Sequence, residues 1–231
     1  MLPFREFCKG ILELFYPNIC VCCSSGLTQG ENHICSHCLY ELPVTDFHKD
    51  VENPVEQVFW GRADVKYATA CYFYRKGNRI QQLMYEIKYK GQKDIGLILG
   101  RQMGVKLQGT GFEEVDVIVP VPLHPAKFRK RGYNQSEWIA RGIAQSLDKP
   151  VNTDTLIRLQ QTGSQTRKKR FERWENVHSG FGIVNEALSG KHVLLVDDVL
   201  TTGATLEACI HTVCRLPGTM VSIATLAYAT N

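Results

Sequence analysis

What this sequence lacks narrows its class before any motif is weighed. No apolar run approaches the length needed to cross a bilayer, so no membrane insertion is expected. The stretch Ile11, Leu12, Leu14, Phe15 and Tyr16 is too short for a secretory signal and is broken by Glu13, which makes the cytoplasm the expected location. Charge of one sign is also missing. A net charge of +4, with 22% of residues charged, is compatible with an anionic ligand but too small to argue for nucleic acid. There is no internal repeat and no low-complexity tract. With 231 residues, 44% of them hydrophobic, the chain has room for one ordinary domain and a small one beside it.

Cysteine is not scarce. Five of nine fall between Cys20 and Cys38. Thiols stay reduced in the cytosol, so a disulfide framework is not expected. Cys20 and Cys23 form one Cys-x2-Cys pair, and Cys35 and Cys38 form another eleven residues on. Two such pairs present four thiolates to one tetrahedral zinc, and Gly26 and Gly30 supply turns between them. Four protein ligands leave no open position, so the zinc would be structural. Cys22, His33 and His37 compete as ligands; Cys20 with Cys23 is preferred because it repeats the spacing of the second pair. Cys8, Cys71, Cys209 and Cys214 lie among apolar residues and are expected to be small core side chains.

Periodicity predicts an α/β chain. Phe4, Phe7, Cys8, Ile11, Leu12 and Phe15 mark an amphipathic helix that ends at Pro17. Residues 46–66 read as a linker with some local structure. A strand is predicted over 67–74. A helix follows over 78–89, carrying Ile80, Leu83, Met84 and Ile87, with Lys88 near its end as a solvated lysine. A second helix covers 97–107. Residues 116–119 form a buried strand that runs into Pro120, Pro122 and Pro125, which cannot continue a central strand. A basic loop with Lys127, Arg129, Lys130 and Arg131 comes next, and Asn134 with Glu137 resembles a capping box for the following helix. Arg131 and Gly132 offer a pyrophosphate both a cation and backbone N–H donors. Short strands are predicted around 156–159 and 181–184, and a last one over 221–228. The polar stretch 160–178 is long for a loop inside a compact domain.

The most informative stretch is 193–205. Val193, Leu194, Leu195 and Val196 read as a strand buried on both faces, with Asp197 and Asp198 where it should end. Thr201, Thr202, Gly203, Ala204 and Thr205 then make a tight turn into a helix. Backbone N–H groups at a helix start suit a phosphate. Carboxylates repel a phosphate but suit hydroxyls. A ribose 5-phosphate has a phosphate at one end and a vicinal diol at the other.

This stretch resembles the signature of type I phosphoribosyltransferases, which bind 5-phosphoribosyl 1-pyrophosphate (PRPP). The chain as a whole resembles the ComF family. The matching pieces are the two cysteine pairs, Val119 to Pro122, Arg131 to Gln135, Arg158 with Thr162 and Gln165, residues 170–176 and residues 196–205. The resemblance implies a helix and four-cysteine zinc module over 1–45 and a phosphoribosyltransferase-like domain over 67–231, a parallel sheet flanked by helices. It also implies that Asp197 and Asp198 hold the ribose 2- and 3-hydroxyls, that residues 201–205 hold the 5-phosphate, and that Arg131 and Gly132 face a Mg²⁺-bridged pyrophosphate. The loop with Arg167, Lys168, Lys169, Arg170 and Arg173 would close as a mobile lid, and a role in DNA uptake would follow. Three functions stay open: a transferase acting on a nitrogenous acceptor, a non-catalytic binder of the same ligand, and a module that handles single-stranded DNA with Phe171 and Trp174. No residue names the acceptor, whose binding hood is expected from residues 40–110 or the zinc module. His124 and Asp198 are the candidates for a general base.

Overall fold

A computed structural model describes residues 17–159 and 180–229. The expected helix over 4–16, Cys8, and the lid residues Arg167, Lys168, Lys169, Arg170 and Arg173 lie outside the described residues. Helices are α1 (Ser36–Tyr40), α2 (Pro54–Gln57), α3 (Arg79–Tyr89), α4 (Lys93–Leu107), α5 (Pro125–Arg131), α6 (Gln135–Leu147) and α7 (Ala204–Val213). Strands are β1 (Ala68–Tyr74), β2 (Val117–Pro120), β3 (Leu156–Arg158), β4 (Phe181–Ile183), β5 (His192–Leu200) and β6 (Met220–Ala229). Among the described residues no helix is long and apolar enough to cross a membrane.

Four strands form one sheet in the order β1-β6-β5-β2, every neighbour parallel. β3 and β4 pair antiparallel as a separate ribbon. Side chains alternate across the sheet. Leu194 and Val196 pack with Ile118, α3, α4 and α6, whereas Val193 and Leu195 pack with Val117, Val119 and α7. The sheet is therefore covered on both faces, which is why its strands read as apolar runs. β2 leads into the helices of the first face and β5 into α7 on the second. Neighbouring strands whose connections leave in opposite directions open a crevice at their C-terminal ends, where ligands of open α/β sheets bind.

α4 and α6 cross almost backbone to backbone. A Cβ on Gly100 would collide with the Ile139 carbonyl, and one on Gly142 with the Leu97 carbonyl. This close crossing seats the start of α6 against β5.

Several expectations are corrected. The strand carrying the acids does not end before them: β5 runs on to Leu200, so Asp197 and Asp198 lie within it. The basic loop is the helix α5, started by Pro125 at its first turn with the His124 ring accepting from the Ala126 N–H. Asn134 does cap α6, but through the Ser136 N–H, and Glu137 pairs with Arg141 rather than closing a capping box. β2 lies at the sheet edge and stops at Pro120, which satisfies the proline there. Cys71 and Cys209 are buried as expected, but Cys214 is exposed. Residues 46–66 hold a turn of 3-10 helix (Phe47–Lys49) and α2, and they bury Val55 and Phe59 among Ala68, Ala70 and Leu206.

Candidate functional site

β2 stops opposite Val196, one residue short of the acids. Past that point, among the described residues, β5 pairs only with β6, Asp197 against Thr225. The missing neighbour leaves a cleft of about 540 Å³ over the end of β2. Asp197, Asp198 and Thr205 line one wall; Lys127, Lys130 and Arg131 of the α5 region line another; Lys88, Ser136 and Arg158 complete it.

Consecutive strand residues point to opposite faces, so the two acids meet different partners. Asp197 Oδ1 accepts from Ser136 Oγ at 2.9 Å and from the Asp198 N–H at 2.8 Å. Asp198, only 7% exposed, lies 2.8 Å from the Lys88 ammonium at the end of α3. The contact is an ion pair met off the hydrogen-bonding direction. Lys88 is thus not a solvated lysine. Burial, then the neighbouring Asp198 charge, push the Asp197 carboxyl up to about 7, against the opposing pull of the Asp198 N–H, Ser136 and Lys88. Asp198 is thus paired with a lysine, while Asp197 is held partly neutral near pH 7.

The turn after β5 is built for close approach. Gly203 has φ +77° and caps α7 with no side-chain hydrogen bond; the Ala204 N–H makes a long contact to Thr202 Oγ1 at 3.5 Å, and the cap residue offers nothing to the N–H groups that follow. A Cβ at Gly203 would stand 2.7 Å from Val58 and 3.3 Å from Phe59. Arg62 donates to the Thr202 carbonyl at 3.0 Å and to the Val58 carbonyl at 3.1 Å, and pairs with Glu207. Residues 58–62 therefore brace the turn from beneath. Nothing local in the sequence signals this, because Arg62 and Thr202 are far apart along the chain. Thr201, Thr202, Ala204 and Thr205 are exposed on the other side.

Arg131 ends α5. Its guanidinium donates to the Gln135 amide oxygen and lies 5.9 Å from the centre of the Tyr89 ring. Gly132 follows with φ +83°, but its N–H is used on the Phe128 carbonyl, so the pair supplies the cation and not the expected N–H donor. Arg129, Lys130 and Arg131 crowd the last turn, which offsets the negative end of that helix dipole. The Tyr133 hydroxyl donates to the Ile87 carbonyl, tying the α5–α6 turn to the end of α3 that carries Lys88. Arg158, with its guanidinium 4.3 Å from the Phe181 ring centre, reaches the same cleft from β3.

A second cluster lies in the N-terminal module. The sulfurs of Cys20, Cys23, Cys35 and Cys38 all lie within 4.8 Å of one another. Cys23 and Cys35 are 3.7 Å apart, close to the ~3.8 Å edge of a tetrahedron with Zn–S of ~2.3 Å. N–H groups of Cys35 and Cys22 point at Cys20 Sγ, at 3.3 and 3.4 Å, and the Cys38 N–H points at Cys35 Sγ at 3.4 Å. Such donors favour thiolate. The cluster suits a structural zinc. The competing ligands fall away: Cys22 is not among the four converging sulfurs, His33 faces Asp94 at 3.8 Å, and His37 faces Glu41 at 3.3 Å.

Residues 134–230 match the family model of the phosphoribosyl transferase domain. The chain is 26% identical over 207 residues to the DNA utilization protein YhgH of Escherichia coli K12, covering 86% of this chain and 85% of that protein. It is 27% identical over 189 residues to the competence protein ComFC of Bacillus subtilis 168, covering 82% and 75%. Against the competence protein F of Haemophilus influenzae the identity is 32% over 94 residues, covering 40% and 41%.

Proposed function

From the premise that this chain belongs to the ComF family and carries a phosphoribosyltransferase-like domain, we propose that its cleft binds PRPP with Mg²⁺ and transfers the ribose 5-phosphate to a nitrogenous acceptor. The observation that carries this reading is one cleft lined by an acid pair, by Thr205 from the N-terminus of α7 and by a basic wall. These match a diol, a phosphate and a pyrophosphate in that order.

On this reading the 5-phosphate sits over the turn of Thr201, Thr202, Gly203, Ala204 and Thr205, where N–H groups and the α7 dipole attract it. Asp197 and Asp198 take the ribose hydroxyls. The pyrophosphate faces Arg131, with Lys127, Lys130 and Arg158 adding positive charge around the cleft. Magnesium prefers oxygen ligands, and the carboxylates together with substrate oxygens fit it; when bound it would neutralise part of the pyrophosphate charge. The lone pair of the acceptor nitrogen forms the new bond to C1 as the C1–O bond breaks. The bonding pair leaves with the pyrophosphate, and the acceptor's N–H proton passes to water. Positive charge that develops at C1 is stabilised by the acid pair, so the protein contributes position and electrostatics rather than covalent chemistry. The relatives' names, DNA utilization and competence, support a role for this activity in the handling of DNA, and a cytoplasmic site of action fits a soluble phosphorylated substrate.

Isothermal titration of the full chain with PRPP and Mg²⁺ is expected to show one-site binding that weakens when Mg²⁺ is withheld. No heat at any Mg²⁺ concentration sinks the reading. Binding with no pyrophosphate released across a panel of nitrogenous acceptors reduces it to a sensor of the same ligand.

A further inference from the structure

Beyond Lys88 the cleft wall turns into a second open cavity of about 490 Å³. Lys88 and Tyr89 border both cavities, and Tyr74, Asn78, Gln81, Gln82 and Tyr85 line the second. Tyr85 and Tyr89 lie one helical turn apart on α3, 50% and 63% exposed, with ring centres 5.3 Å apart. Lys90 lies 6.0 Å from the centre of the Tyr85 ring. The result is a pair of open aromatic faces at the border of a cleft built for a sugar phosphate.

The rim of this cavity also carries an ordered polar edge. Gln81 accepts the Gly77 N–H on its amide oxygen at 2.8 Å, which leaves its NH2 as a donor. Gln82 donates its NH2 to the Val21 carbonyl in the cysteine module, which leaves its amide oxygen as an acceptor. One donor and one acceptor beside stacking rings suit a planar ring whose edge carries both.

We propose that this cavity is the acceptor subsite, taking a heteroaromatic nitrogen base that stacks on Tyr85 and Tyr89 while Gln81 and Gln82 read its edge. The inference rests on the phosphoribosyl reading, because only with PRPP in the first cleft does an acceptor beside Lys88 face C1. It also gives the cysteine module a part in selecting the acceptor, since Val21 sets the orientation of Gln82.

The test uses the full chain saturated with PRPP and Mg²⁺, titrated calorimetrically with adenine, hypoxanthine, cytosine and uracil in turn. At least one base is expected to bind. Tyr85→Ala is expected to weaken that base about tenfold, the scale of one lost base–aromatic stack, while Tyr85→Phe keeps it. Gln81→Ala is expected to change the preference among the four. Neither Tyr85→Ala nor Gln81→Ala should alter the PRPP isotherm itself. If PRPP binds to the wild-type chain but none of the four bases does, or if Tyr85→Ala binds the base as tightly as wild type, the subsite assignment is wrong. If PRPP itself fails to bind, the phosphoribosyl reading falls first and takes the subsite with it.

Discussion

Asp197→Asn is expected to make the protein more stable at pH 8 and worse at binding its ligand. Burial and the Asp198 charge hold the Asp197 carboxyl at about 7 in the folded chain, against an ordinary 3.8. Between those values the folded protein keeps a proton that the unfolded chain has lost. Stability contributed by that proton is full below about pH 4, falls as pH rises towards 7, and is gone above it. Asparagine needs no proton, so the variant should match wild type near pH 4 and exceed it at pH 8. A shift of this size caps the gain at about 4 kcal/mol, and coupling to Asp198 and Lys88 brings it lower. At roughly 2–4 °C per kcal/mol for a chain of this size, the melting temperature at pH 8 should rise by several degrees. On the proposed reading the same change removes an acceptor for the ribose diol. Loss of one charge-assisted hydrogen bond is worth ~1.5–3 kcal/mol, so PRPP affinity should fall about tenfold or more. Thermal melts from pH 4 to 8 check the first part and calorimetry the second. A variant less stable than wild type at pH 8 would mean the carboxyl is not strained by its setting.

The second large effect concerns the cysteine module. Purified protein is expected to hold about one zinc per chain, and removing it should lower the melting temperature by more than 10 °C, because structural zinc sites contribute ~10–16 kcal/mol of binding energy to folding. The loss should not stay local. Cys20, Cys35 and Cys38 share a core with Leu42, Tyr72 and Leu83, and Arg79 at the start of α3 pairs with Glu41 at 2.6 Å. Gln82 reaches back to Val21 from the same helix. Chelation should therefore also weaken whatever binds beside Tyr85. Metal content by mass spectrometry, thiol alkylation and melts of Cys38→Ser check this. Less than one zinc per chain, with all four thiols open to alkylation and an unchanged melt, contradicts it.

The contrast between legible and hidden parts of the site follows from sequence distance. The acids, Gly203 and the threonines sit on one continuous stretch, where strand, turn and helix signals overlap. Cys20, Cys23, Cys35 and Cys38 are likewise local, and their spacing alone set apart from Cys22 the four whose sulfurs converge. Lys88, Ser136 and Arg62 were hidden because each acts through a partner far along the chain, and a lysine near a helix end looks the same whether it meets water or Asp198. Residues 58–62 looked like a connector because their apolar side chains lack a clear period, yet Val58 and Phe59 form the floor under Gly203. The helix α5 did carry a signal: His124 before Pro125 is a cap followed by a first-turn proline, masked by the run of prolines around it. The length of β5 carried none, since two adjacent aspartates are poor strand formers and only pairing with β6 holds them extended.

The stability and affinity effects at Asp197 meet in one idea: the fold keeps an unfavourable acid pair because a ligand uses it. A crystal structure of the full chain soaked with PRPP and Mg²⁺ tests that idea most directly. The 5-phosphate is expected on the backbone N–H groups of the Gly203 turn, the ribose hydroxyls on Asp197 and Asp198, and the pyrophosphate towards Arg131. A ligand bound with its pyrophosphate on the Gly203 turn, or with its sugar away from both aspartates, would contradict it.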